Sequence, residues 1–194
     1  MSRLLIACFL CLAITTAVEA ATINVEPDSN NIAPNNTFSA FISSLDIPET
    51  GGATLGLTFN ANVIHVTGLS LAPSSPFDTI SPSAIDNVNG QIEFISLLPP
   101  LYGALPSGNF DVFSIDFLAV APGFSAISLI DDAADGRNPG DVKGWTGTDF
   151  LLIENIVYNQ GEVTVVPLPA AAWLFLSAVG VLGYRGKRRK TEVI

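Results

Sequence analysis

Across residues 111–120, Phe113, Ile115 and Phe117 alternate with Ser114 and Asp116. In an extended chain successive side chains point to opposite faces, so this period of two puts three large apolar groups on one side and the polar ones on the other. A strand of that kind can bury its apolar side only against a second layer. The requirement extends to most of the chain, because the same pattern recurs and no long stretch has helical periodicity.

Residues 22–26 open the series, and Pro27-Asp28-Ser29-Asn30-Asn31 supplies turn-forming side chains after them. Residues 37–45 place Phe38, Ala40 and Ile42 on one side and Phe41 and Leu45 on the other, so this strand is expected to be covered on both faces. In 53–60, Leu55, Leu57 and Phe59 alternate with Gly56 and Thr58, and Asn60-Ala61-Asn62 makes a tight connection to 63–71. A long loop is expected from Pro73 to Gly90, then a strand at 91–98 with Ile92 and Phe94 on one side and Glu93 on the other. Pro122-Gly123 turns the chain into 126–130, where Ile127 and Leu129 share a parity. Residues 131–149 read as a Gly- and Asp-rich loop, 151–158 as apolar, and 161–166 as a last strand with Val163 and Val165 inward. Eight or nine strands separated by turns predict an all-β antiparallel β-sandwich.

The two ends follow different rules. Arg3, the apolar run 4–14 and Val18-Glu19-Ala20 have the charge, length and small residues of a signal peptide, so cleavage by signal peptidase is expected between Ala20 and Ala21. Both cysteines, Cys8 and Cys11, lie in that leader; the body must therefore be held by a hydrophobic core rather than by disulfides. At the other end Val166-Pro167-Leu168-Pro169 forms a proline-stiffened elbow, residues 170–184 carry no charge, and Arg185, Lys187, Arg188, Arg189 and Lys190 form a basic cluster. A helix over the uncharged run would span roughly 22 Å, short of the ~30 Å hydrocarbon layer, which makes it a marginal membrane anchor. The basic cluster would stay on the cytoplasmic side, leaving the body outside. The division is therefore 1–20 leader, 21–165 sandwich domain, 166–190 elbow, transmembrane helix and basic cluster, and 191–194 tail.

Charge excludes one class of function. Residues 21–166 hold sixteen acidic residues and only two basic ones, Arg137 and Lys143, a charge of −14. Nothing there could neutralise phosphates, so nucleic acid is not a partner.

The elbow, apolar run and basic cluster of 166–190 resemble the bacterial PEP-CTERM sorting signal in its Val-Pro-Leu-Pro-Ala form, with Leu168 where the family's name has Glu. The resemblance implies processing by an exosortase near residues 166–169, secretion, and a transient membrane anchor. The body is similar to cohesin modules in its order of features: Ile23-Asn24-Val25; Gly56-Leu57-Thr58-Phe59-Asn60 then Val63-Ile64-His65-Val66; Phe113-Ser114-Ile115-Asp116-Phe117 with Ala126-Ile127-Ser128-Leu129; and Gly161-Glu162-Val163-Thr164-Val165. That resemblance implies a nine-stranded jelly roll related to carbohydrate-binding modules, and a dockerin-like protein partner held on one sheet face.

Catalysis has little to build on. His65, the only histidine, lies between Ile64 and Val66 in a strand, the body has no thiol, and no Gly-x-Ser-x-Gly elbow is present. No cofactor is expected, with calcium the one alternative: Asp131, Asp132, Asp135, Asn138 and Asp141 offer oxygen ligands, although Ala133 and Val142 break the helix-loop-helix spacing. A solvated acidic loop is the simpler reading, and chelation is then expected to leave the melting temperature nearly unchanged. Trp145, Tyr102 and Tyr158 are the candidates for a polysaccharide-stacking surface, the other reading being core or rim residues. The expectation is a non-enzymatic, secreted surface or matrix protein that binds a polysaccharide or a protein. The alternatives are a tail-anchored structural envelope protein and a polysaccharide-processing enzyme.

Overall fold

The computed structural model describes residues 20–130, 144–149 and 151–167, together with Ser177 and Val179, which are helical. The strands are β1 (Thr22–Pro27), β2 (Asn31–Ile32), β3 (Thr37–Ile47), β4 (Thr50–Thr58), β5 (Ile64–Leu71), β6 (Thr79–Pro82), β7 (Ile85–Asp86), β8 (Gln91–Leu98), β9 (Gly108–Ala119), β10 (Gly123–Ile130), β11 (Gly144–Gly147), β12 (Val157–Asn159) and β13 (Gly161–Val165). They form a five-stranded sheet in the order β12-β1-β3-β9-β5 and an eight-stranded sheet in the order β2-β13-β10-β4-β8-β6, with β11 also on β4 and β7 on β8. The expected all-β sandwich is what the chain forms.

The period-two pattern decides which side of each strand faces the other sheet. Phe113, Ile115 and Phe117 of β9 are fully buried, as are Ala40 and Ile42 of β3, and Leu55 and Leu57 face them from β4. Phe117 is central: it stacks on Phe38 with ring centroids 5.1 Å apart and meets the edge of Phe59 at 6.0 Å. Each such side chain stabilises the fold by about 1.5–3 kcal/mol when removed from water. With no cysteine in residues 21–166, this core carries the stability.

Three expectations need correction. Strand β3 is covered on one face only, for Phe41 and Leu45 remain half exposed on the outer side. Phe94 does not share the inward face of Ile92. A bulge opposite Leu55 and Leu57 shifts the parity of β8, so that Ile92, Ile95 and Leu97 are the buried residues. The segment between Pro73 and Gly90 contains β6 and β7, which pair with β8; their short, polar sequences gave no period to read.

The tight turns do not make hairpins. Residues 60–62 carry the chain from β4 in one sheet to β5 in the other, and residues 120–122 carry it from β9 to β10. These corners brace each other: the Asn60 amide donates to Ser125 Oγ at 2.9 Å, its side-chain nitrogen donates to the Phe124 carbonyl at 3.1 Å, and Val120 N–H donates to the Val63 carbonyl at 2.8 Å. Gly90 closes the same end at φ 73°, where a Cβ would run into the Phe59 carbonyl. The chain ends cross between sheets as a pair. β12 lies parallel to β1, β13 lies parallel to β2, and both segments switch sheets together. The sandwich is therefore antiparallel except for these two pairs.

Candidate functional site

With the inner faces filled, chemistry is left to the outer faces and the loops. On the eight-stranded sheet, β10 presents Phe124 (53% exposed) and Ile130, and β8 presents Leu98 (56% exposed). Ile130 pairs with Gly56, whose missing side chain leaves the sheet surface low beside it. Beyond Leu98 the chain runs through Pro99 and Pro100 to Leu101 and Tyr102, both almost fully exposed. Prolines pre-set an extended backbone, so this loop offers apolar side chains at little conformational cost.

The five-stranded sheet is more polar outside. Its central strand, β3, presents Ser39, Phe41 and Leu45, flanked by Glu26 on β1 and by Ser114 and Asp116 on β9. Ser39 Oγ donates to Asp116 Oδ1 at 2.7 Å, Asn159 Nδ2 donates to Asn24 Oδ1 at 2.8 Å, and the Ser70 and Ser114 hydroxyls lie 3.0 Å apart. His65 pairs with Leu118 at the edge of this sheet, in keeping with a strand residue. Among the described residues there are twelve carboxylates and no lysine or arginine.

The aromatic trio is not brought together. Trp145 lies in β11 opposite Ala53, is 0% exposed and packs on Phe77 at 5.9 Å, whereas Tyr102 is 92% exposed in a loop. Tyr158 pairs with Ile23 in the other sheet and packs against the core. A stacking surface containing Trp145 is thus ruled out by burial. The residue that hides it, Phe77, lies in the segment expected to be loop. It also meets Phe110 edge-on at 5.9 Å, closing one end of the sandwich. A single aromatic after Pro76 in a polar stretch was the one available signal for it.

Asp131, Asp132, Asp135, Asn138 and Asp141 lie outside the described residues. Their flanks are placed, however: Ile130 pairs with Gly56 and Gly144 with Thr54, so the segment leaves and rejoins the same edge of β4 two residues apart. Among the described residues no cluster of three His, Cys, Asp or Glu side chains is poised for a metal. Asp86 is held below the usual carboxylate range, first by the Asn89 side chain and then by the backbone amides of Asn89 and Val88; these bonds fix a turn and create no site.

At the chain ends, Ala20 is exposed and Ala21 is buried, its carbonyl accepting from Val157 N–H at 2.8 Å. Val166 N–H donates to the Ile32 carbonyl at 2.8 Å, and Pro167 is exposed. The sandwich thus ends one residue before the prolines begin. Residues 1–19, Leu168, Pro169 and the basic residues Arg185, Lys187, Arg188, Arg189 and Lys190 lie outside the described residues, so the expected leader helix and membrane segment do too. No helix among the described residues is long and apolar enough to cross a membrane.

No family model matches the chain, and no curated protein is similar to it in sequence. Solved structures are similar in fold. A non-cellulosomal cohesin from the archaeon Archaeoglobus fulgidus superimposes with a TM-score of 0.58 at 15% identity, covering 79% of this chain and 96% of that one. The cohesin module of a family 33 glycoside hydrolase from Clostridium perfringens gives 0.60 at 9% identity, over 77% and 98%. The third cohesin of ScaC from Acetivibrio cellulolyticus, solved in complex with the ScaB dockerin, gives 0.57 at 15% identity, over 75% and 99%. With nearly the whole of each cohesin matched, the sandwich of this chain has the cohesin fold.

Proposed function

We propose that this chain is a secreted, non-enzymatic binding module, delivered to the bacterial cell surface or extracellular matrix through an exosortase and docking a dockerin-like protein partner on its eight-stranded sheet. The observation that carries the reading is the fold, whose similar structures include a cohesin in complex with a dockerin; on the eight-stranded sheet it is joined by exposed apolar side chains, Phe124 toward one end and Ile130 and Leu98 toward the other. Interface centres favour aromatic and aliphatic groups with little charge, and Phe124, Ile130 and Leu98 supply such groups on this sheet. A protein partner is favoured over a polysaccharide, because Trp145, the strongest candidate for sugar stacking, lies in the core. Delivery rests on the leader and on the elbow, apolar run and basic cluster of 166–190.

The test is surface retention in the native host. A double variant, Phe124→Ser with Leu98→Ser, is expected to be exported and processed like the native protein but to be shed into the medium. If shedding does not increase, the eight-stranded face is not the docking surface. Incubation of the purified protein with envelope polysaccharides is expected to release no reducing ends; release would favour the enzyme alternative.

A further inference from the structure

The outer face of the five-stranded sheet carries a feature that the fold does not use. Phe41 sits in the middle of the central strand, β3, and is 49% exposed; Leu45, on the same face two repeats along, pairs with Thr22, which in turn pairs with the exposed Val157. A large aromatic at the centre of a solvated sheet contributes little to folding, and Ser39, Ser43 and Ser114 stand next to it on the same face. Carboxylates stand around it on three sides. Glu26 is the direct cross-strand neighbour of Phe41, Asp116 pairs with Ser39, and Asp111 pairs with Ser43. Asp111 also borders a shallow depression of about 420 Å³ lined by Ser43, Ser74 and Asn109. Ser74 Oγ donates to it at 3.0 Å, which fixes the carboxylate at the rim.

We propose that this face, centred on Phe41, is a second docking surface, and that its occupant is a basic protein segment whose cationic side chains meet Glu26, Asp111 and Asp116 while an apolar side chain packs on Phe41. Charge selects the occupant. A second copy of the chain would bring another body of −14 against the first, and an anionic lipid surface would be repelled in the same way. A lysine or arginine would instead gain from the carboxylates and from the face of the Phe41 ring. This inference goes beyond the docking assigned above to the opposite sheet, and the two are separable because they use different strands.

The experiment titrates the isotopically labelled full chain with a decapeptide of alternating leucine and arginine while backbone amide resonances are recorded. Shifts are expected to concentrate on β1, β3 and β9 around Phe41. Affinity is expected to fall at least tenfold in Phe41→Ser and severalfold in Glu26→Gln or Asp116→Asn, and to be unchanged in Phe124→Ser. The melting temperature of Phe41→Ser is measured alongside, and an unchanged value excludes unfolding as the cause. Shifts spread over all the carboxylates, or an equal loss in Phe124→Ser, would overturn the proposal. So would binding to phosphatidylglycerol vesicles that depends on Phe41, since the occupant would then be lipid.

Discussion

The two outer faces of the sandwich share a backbone geometry and differ in chemistry. The eight-stranded face carries its exposed apolar groups toward its two ends, Phe124 beside Thr164 at one and Ile130, Leu98 and the prolines of residues 99–100 toward the other, with Thr58 paired to Ser128 between them. The five-stranded face keeps one exposed aromatic, Phe41, inside a field of hydroxyls and carboxylates. The inner faces of both sheets are alike, filled with isoleucine, leucine, valine and phenylalanine. Folding thus constrains one side of every strand and leaves the other side free, and on that free side the sheets have diverged.

The sharpest way to break this contrast is to substitute inner and outer aromatics in parallel. Phe117→Ala removes the ring that meets both Phe38 and Phe59 and is expected to cost about 3–5 kcal/mol in urea unfolding. Phe41→Ser and Phe124→Ser should each stay within about 0.5 kcal/mol, as surface substitutions do. An outer substitution that matched the inner one would mean that the face is covered. Where the sheets meet at the paired crossovers, Gly161 has no room for a side chain: a Cβ would lie 2.9 Å from both Pro27 Cδ and Val25 Cγ1. Gly161→Ala is expected to cost about 1–3 kcal/mol by overpacking, read in the same unfolding experiment.

A smaller effect is expected at the free edge of β5. Asn87 there imitates a missing strand, accepting from Val66 N–H at 2.8 Å and donating to the Val66 carbonyl at 2.9 Å. Asn87→Ala should cost about 1–2 kcal/mol and raise hydrogen exchange at Val66, because one backbone pair loses its partner. The smallest effect belongs to Asp86. Its carboxyl titrates below 3.8 in the folded chain, so its stabilising contribution is complete above that value and disappears as pH falls through the lower folded one. The melting-temperature gap between the native protein and Asp86→Ala is therefore expected to be open at neutral pH and to close in acid.

Much of this arrangement was legible in the sequence. The parity of Val163 and Val165, of Ile127 and Leu129, and of Phe113, Ile115 and Phe117 placed the core side correctly, because burial and alternation are the same fact seen twice. Position in a sheet was not legible in the same way. Phe41 reads as part of a second buried face because a half-exposed and a buried phenylalanine are the same letter, and only the layer order shows that no other described strand covers it. Phe94 was misplaced by a bulge, which inserts one residue without a composition signature. Trp145 reads equally as a stacking residue or as core, because the residue that buries it, Phe77, lies 68 positions earlier in a segment without periodicity. The candidate faces themselves emerge only when strands far apart in the chain are set side by side.

The proposed delivery carries the sandwich outside the cell and releases it from the tail that begins at Val166. The direct measurement is the mass of the mature protein isolated from its native host. The expected product starts at Ala21 and ends within residues 166–169. A product that still carries Trp173 and the basic residues 185–190 would contradict the proposed processing and release.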